Sequence, residues 1–168
     1  MKKNLLVFML VTQAIGIDVL AQNASPGGGE NALGIRAGGA PGVTFKSFAK
    51  SGRSAVEFIG GYNFDPEIKN FGLTGLYQVL APFPSGKLAA QIGAGPTWVF
   101  NGNRLGISGN LGFDWRVGRL PVNLSLDWIP TFFFVNSSKF SPVNGAISAR
   151  YILNNKRINP RPTSAPRN

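Results

Sequence analysis

Apolar and polar side chains alternate along one long stretch of the chain, residues 105–135. In the first arm of this stretch the apolar residues are Leu105, Ile107, Leu111, Phe113, Trp115 and Val117. In the second arm they are Val122, Leu124, Leu126, Trp128 and Phe132. Successive side chains of a strand point to opposite faces, so a period of two indicates strands rather than helices. The two arms, joined by the turn sequence GRLP, therefore predict a long β-hairpin with one apolar and one polar face.

Two architectures accommodate such a hairpin. Both arms are longer than the usual strand of about 5–6 residues and match the roughly 9–11 tilted residues that cross a bilayer. In a soluble sandwich the apolar face would point inward, whereas in a membrane barrel it would face lipid and the polar face would line the lumen. The positions of the charged and aromatic residues favour one of the two.

Alternation of the same kind predicts further strands between residues 32 and 153. The segment 32–48 is interrupted by Gly39-Ala40-Pro41-Gly42, so it forms either one bent strand or two. Two strands there give a total of eight, and bacterial single-chain barrels have an even number. We therefore predict an all-β fold, an eight-stranded antiparallel up-and-down transmembrane β-barrel. Pro96 predicts a bulge or a strand end, and residues 136–142 predict a polar loop.

The charged residues of the predicted strands all lie on polar faces. They are Arg36, Lys46, Glu57, Asp114, Arg116, Asp127 and Arg150. A charge that faces lipid costs roughly 2–4 kcal/mol at the bilayer midplane, so this distribution favours the membrane barrel. The positive and negative groups are nearly balanced, and an unpaired buried charge is costly. We therefore predict that these seven residues form an ion network in the lumen.

The apolar faces are rich in aromatic residues, many of them near strand ends. Aromatic side chains of membrane barrels form girdles at the level of the lipid headgroups. The residues predicted to form such a girdle are Tyr62, Phe64, Tyr77, Trp98, Phe100, Trp115, Trp128 and Tyr151. The opposite faces carry mostly small side chains, which a narrow eight-stranded lumen requires.

The ends of the chain differ from the strand region. Residues 1–21 predict a cleaved signal peptide, with Lys2 and Lys3 before a mostly apolar run and Ala21 at the cleavage site. That run is shorter than the about 20 residues of a spanning helix, and Asp18 interrupts it. Residues 22–31 predict a flexible leader, residues 32–153 the barrel, and residues 154–168 a basic, proline-rich disordered tail. Export and the strand pattern together predict a bacterial outer-membrane location.

Composition limits the chemistry. The sequence contains neither Cys nor His, so it lacks thiol ligands and the commonest general base. We predict no catalytic residue, no cofactor and no metal site. The formal charge of +10, from 17 basic and 7 acidic residues, suggests an anionic partner. Nucleic acid is not predicted, because the chain is exported and shows no nucleic-acid-binding motif. The basic tail is either solvated or binds an anionic partner such as lipid headgroups.

The order of the segments resembles the small outer-membrane β-barrel proteins of Bacteroidetes-type bacteria. The resemblance lies in LGIRAGG, GVTFK, GLTGLYQ, IGAGPTWV, LGFDWRV-x-x-LPVNLSLDWIP and GAISARYIL, and it covers residues 32–153. Here the loop at residues 101–104 is shorter than in that family, and a basic tail follows the final aromatic strand. The resemblance implies an outer-membrane barrel inserted by the barrel-assembly machinery. It implies no defined activity.

Three functions remain open at this stage. The first is a structural or interaction barrel of the outer membrane without catalysis, in contact with outer-membrane lipids. The alternative is a narrow channel or small-ligand carrier, although eight strands leave space for side chains or one small ligand only. The third, less favoured, is a lipid-modifying membrane enzyme. It would rely on Asp114 and Asp127 as acid and base, since the chain lacks His.

Overall fold

The computed structural model describes residues 28–63, 70–100, 102–118, 120–136, 138–142 and 144–154. The predicted signal peptide, the leader up to residue 27, Phe64 and the tail from residue 155 onward lie outside the described residues. Within them, the structure consists of strands, turns and loops. The described residues contain no helix long and apolar enough to cross a membrane.

Ten strands form one sheet. They are β1 (Asn31–Gly38), β2 (Gly42–Phe48), β3 (Ser54–Asn63), β4 (Asn70–Pro82), β5 (Leu88–Val99), β6 (Arg104–Arg116), β7 (Val122–Trp128), β8 (Thr131–Phe133), β9 (Lys139–Ser141) and β10 (Gly145–Ile152). Strands β7 and β8 both pair with β6 and form one interrupted arm. Strands β9 and β10 form the next arm, since β9 pairs with β8 and β10 with β7.

The sheet closes on itself. Each arm pairs antiparallel with the next, and the last arm returns to the first through pairs from Ala32↔Ile152 to Gly38↔Ala146. The result is the eight-stranded antiparallel up-and-down β-barrel that the sequence predicted. The segment 32–48 forms two strands, β1 and β2, joined at a glycine-rich turn where Gly38 adopts a φ of 140°. The even strand number brings Glu30 and Asn154 to the same end.

We call that end the terminal end and the opposite end the loop end. At the terminal end the Asn154 side chain accepts a hydrogen bond from the Asn31 backbone N–H at 2.6 Å and donates one to the Gly29 carbonyl at 3.1 Å. These two bonds tie the first arm of the barrel to the last. Residues 49–53 and 83–87 connect strands at this end. Residues 39–41 connect strands at the loop end, where β3, β5 and β8 also end.

The prolines behave differently from the prediction at two places. Pro96 causes neither a bulge nor a strand end: it pairs with Ile107 in an unbroken register. Proline has no backbone N–H, so it loses a hydrogen bond to only one of its two neighbouring strands. Here that strand is β4, and its pairing with β5 is interrupted between Thr97 and Ala94. The expected loop at 136–142 contains β9. Between β9 and β10 this arm has one residue more than the facing arm has between β7 and β8, and the extra residue makes a bulge near Pro142, opposite Pro130.

The two faces of the barrel are inverted relative to a soluble protein. The buried residues include many polar and charged side chains, whereas large apolar side chains are exposed on the outside. Ile35 is 67% exposed and Ile92 62%. Outward-facing aliphatic residues of the arms also include Leu33, Val43, Val56, Leu73, Val79, Leu105, Ile107, Leu111, Leu126 and Ile147. Across the described strands, no outward position carries a charged side chain.

Candidate functional site: the lumen of the barrel

The structure places all seven charged residues of the predicted network inside the barrel. Each is at most 3% exposed: Arg36, Lys46, Glu57, Asp114, Arg116, Asp127 and Arg150. An eighth buried charge, Glu30, joins them. Among the fully buried side chains of the described residues, acidic and basic groups are therefore equal in number.

The eight side chains form four ion pairs. Arg36 Nη1 lies 2.6 Å from Asp127 Oδ1, and Lys46 Nζ lies 2.7 Å from Asp114 Oδ2. Arg116 pairs with Glu30, and Arg150 with Glu57. Each pair joins arms that are not neighbours in the barrel, and the Lys46–Asp114 pair joins opposite sides, since β2 and β6 are four arms apart. Removing one member would leave a buried charge without compensation.

Neutral side chains join two of these pairs into one network. Lys46 also donates to Gln91 Oε1 at 2.7 Å, and Asn123 Nδ2 donates to Asp114 Oδ1 at 2.6 Å. The oxygen of the same Asn123 accepts from Arg150 at 3.2 Å. Asn123 therefore bridges the Lys46–Asp114 pair to the pair of Arg150 with Glu57. Further bonds extend the network, from Thr44 and Gln78 to Glu57 and from Arg150 to Ser125.

Glu30 was missed because the sequence interpretation assigned residues 22–31 to a flexible leader. The structure corrects this boundary, since Asn31 begins β1 and the Phe48 N–H bonds to the Glu30 carbonyl at 2.8 Å. Ala32 and Arg36 point inward, and Glu30 continues the same alternation by two residues. This alternation is one signal that would have identified Glu30. The other is that the seven predicted lumen charges contain one acidic residue fewer than basic residues.

The terminal half of the lumen ends in an apolar cluster. Its members are Ala32, Phe48, Ala55, Leu80, Ala89 and Ile152, all at most 4% exposed. The Phe48 ring also lies under Lys46, with Nζ 5.2 Å from the ring centroid. This half is therefore closed by packed side chains on one side and by the ion network on the other.

The loop half contains a cavity of about 40 Å³. Its lining consists of Arg36, Ala40, Ile59, Gly61, Gly72, Thr74, Thr97, Val99, Ile129, Thr131, Phe133 and Asn144. Hydroxyl groups form a row along one wall: Thr74 bonds to Thr97 at 2.9 Å, Thr97 to Ser108, and Ser108 to Thr131 at 2.7 Å. The cavity thus has a polar wall and apolar neighbours.

The aromatic residues predicted to form a girdle occupy different heights. At the loop end Trp98 packs against Phe100, with ring centroids 4.8 Å apart, and Trp98 Nε1 donates to Asn103 Oδ1 at 3.0 Å. Tyr62 lies near the same end, at the end of β3. At the terminal end Trp115 and Tyr151 are the penultimate residues of β6 and β10. All five are exposed on the outer surface.

Tyr77 and Trp128 correct the girdle prediction. Tyr77 lies in the middle of β4, opposite Ala94 in the middle of β5. Trp128 lies in the middle of the interrupted arm and donates from Nε1 to the Pro142 carbonyl at 2.5 Å. Both are exposed on the outside but away from either rim. Height along a barrel depends on strand tilt and stagger, which sequence position alone does not give.

The chemistry of the lumen residues is that of paired charges. Asp114 contacts Lys46 and Asn123, whereas Asp127 contacts Arg36 and Ser125, so the two aspartates have different cationic partners. Among the residues described, no group of three or more potential metal ligands occurs. No protein-family model, curated protein or solved structure matches the chain.

Proposed function

We propose that the protein is an integral β-barrel of the bacterial outer membrane, with a structural or interaction role and without catalysis. The observation that carries this proposal is the inversion of its two faces. Buried ion pairs fill much of the lumen, while the outward strand positions are apolar or small. In water such a surface would be an aggregation hazard, whereas in lipid it is the expected solvent-facing surface.

The outer surface supports lipid as the principal contact. Mid-barrel positions are mainly aliphatic, and the rims carry indole and phenol groups with polar tips, such as Trp98 and Tyr151. Such side chains sit well where one end of the ring is in hydrocarbon and the other in the headgroup region. The proposal also includes export through the signal sequence and insertion by the barrel-assembly machinery. It further includes the basic tail as a site for an anionic partner.

The occluded lumen favours a scaffold over a channel or carrier. The ion network and the apolar cluster around Phe48 occupy the central and terminal parts of the barrel. An aqueous path from end to end would have to pass both. An eight-stranded barrel is just wide enough for its side chains, in agreement with this packing.

The test is heat modifiability of the protein taken from a fractionated Gram-negative host. We expect it in the outer-membrane fraction. On a cold detergent gel the unheated protein should migrate faster than the boiled one, because a closed barrel resists unfolding by detergent. Recovery in the soluble periplasm, with equal migration before and after boiling, would contradict the proposal.

A further inference from the structure

The cavity in the loop half contains polar groups that the protein itself does not satisfy. Arg36 is 3% exposed, yet its Nε and Nη2 atoms have no hydrogen-bond partner in the described structure. Its Nη1 lies beside Asp127, but the N–H is not aligned for a hydrogen bond. Asn144 Oδ1 is likewise buried and without a partner there. Buried polar atoms are almost always hydrogen-bonded, so these groups indicate a missing partner.

A neutral partner suits Arg36 better than an ion. The fully buried charges are already balanced in pairs, and Arg36 is compensated by Asp127. A bound anion or cation would add an uncompensated charge in a region of low dielectric constant, which is costly. The unsatisfied atoms include donors on Arg36 and an acceptor on Asn144. The partner that matches them is a neutral molecule able both to accept and to donate hydrogen bonds.

Size limits the partner further. The cavity measures about 40 Å³, and one water requires roughly 10–15 Å³ on this scale. It therefore holds about three waters, or one molecule with a similar number of heavy atoms. Ala40, in the connection between β1 and β2, is among the lining residues, so the cavity reaches the loop end.

We infer that the loop half of the lumen is a blind vestibule that binds neutral hydrogen-bonding molecules of a few heavy atoms. Water and small primary amides belong to this class. The vestibule opens at the loop end and stops at the pair of Arg36 and Asp127, beyond which the ion network and the Phe48 cluster close the barrel. The inference goes beyond the proposed scaffold role and depends on the barrel, not on its location.

The absence of cysteine from the chain allows a direct test. Thr97 and Ala89 both point inward from β5, one in each half, and are 7% and 0% exposed. We would prepare Thr97→Cys and Ala89→Cys separately in detergent micelles. We would then measure how fast hydrogen peroxide, a neutral molecule of two heavy atoms, labels each thiol by oxidising it to a sulfenic acid with release of water. Thr97→Cys should react at least about tenfold faster, since reagent reaches Ala89→Cys only after local opening.

Two controls make the rates interpretable. Each variant must show the same shift in gel mobility on heating as the parent, and both thiols should react at similar rates after boiling in detergent. If Thr97→Cys does not fold, Thr131→Cys replaces it, because Thr131 also lines the cavity. Equal rates in the folded barrel would overturn the vestibule. That result would leave the heat-modifiability test of the proposed function unaffected.

Binding is tested with formamide, a neutral molecule of three heavy atoms. We expect formamide to slow the labelling of folded Thr97→Cys and to leave its labelling after boiling unchanged. Adding Asn144→Leu removes the unsatisfied acceptor, so the formamide concentration needed for the same protection should rise at least about tenfold. The labelling rate without formamide should stay the same. Absence of protection, or protection equal in both backgrounds, would overturn the assignment of the ligand class.

Discussion

The terminal half and the loop half of the lumen are both lined by small and polar residues, but they are closed in different ways. In the terminal half, inward positions near the ends of β2 and β4 hold Phe48 and Leu80, which belong to the apolar cluster. In the loop half, inward positions near the ends of β3 and β4 hold Gly61 and Gly72. A Cβ on these glycines would approach the Ala40 and Trp98 carbonyl oxygens to 3.1 and 3.0 Å.

Glycine at these two positions leaves the loop half without a side-chain plug. A side chain there would have to displace the neighbouring carbonyl by a few tenths of an ångström. Two arginines of the lumen also differ in their contacts. Arg150 is fully engaged by Glu57, Asn123 and Ser125, whereas Arg36 keeps unsatisfied donors beside a cavity.

The largest expected effect comes from breaking the ion pair in the sealed network. Glu57→Leu leaves Arg150 buried without its carboxylate, and we expect the free energy of unfolding to fall by about 3–5 kcal/mol. Asp127→Leu should cost less, about 1–3 kcal/mol, because water in the vestibule reaches Arg36. Urea titration in detergent micelles gives both values. Equal losses would remove the distinction between the two halves.

The apolar cluster offers a test of closure. Phe48→Ala should lower the free energy of unfolding by about 3–5 kcal/mol through loss of packing. It should also admit thiol reagent to Ala89→Cys, which is slow in the parent. Phe133→Ala, a matched truncation in the loop half, should leave that labelling slow. Labelling that accelerates in both variants would show that general loosening, not loss of the plug, is responsible.

The outer surface surrounds both halves, and the free-energy cost of placing a charge on it should depend on depth in the membrane. Leu126→Arg, at the middle of its arm, should destabilise the folded barrel in lipid by about 2–4 kcal/mol. Leu153→Arg, at the terminal end, should cost about 0–1 kcal/mol. Both side chains are 56% exposed, so exposure to water alone predicts no difference. Folding yield into lipid vesicles measures the effect, and equal tolerance would argue against a lipid-facing belt.

The smallest effect is expected in the hydroxyl row. Thr97→Val removes the bonds to Thr74 and Ser108 while conserving side-chain volume, and we expect a loss of about 1 kcal/mol or less. Water in the vestibule would satisfy the remaining hydroxyls. A shift in the urea midpoint without a change in slope would report this loss. A loss as large as that of Glu57→Leu would mean that the loop half is dry.

Much of the fold was accessible from the alternation of residues. The period of two assigns each strand residue to a face, so the inward orientation of charges such as Lys46 and Asp114 followed without knowledge of the pairing. The even strand count resolved the segment 32–48 in favour of two strands, as the structure has it. Alternation is hidden among glycines at Glu30, so its inward position was missed, and the local effect of a proline such as Pro96 depends on the neighbouring strand.

The sequence by itself determined most of the strands and the face on which their side chains lie, because both depend on a local geometric period. The even strand count and the placement of the charges indicated the closed barrel. Only the tertiary structure decided which charges meet, as Arg36 with Asp127 and Lys46 with Asp114. It also decided that Tyr77 and Trp128 lie at mid-height and that one half of the lumen stays open. The physical reason is that pairing, height and enclosed volume depend on the stagger between arms, which accumulates around the barrel and leaves no local trace in the chain.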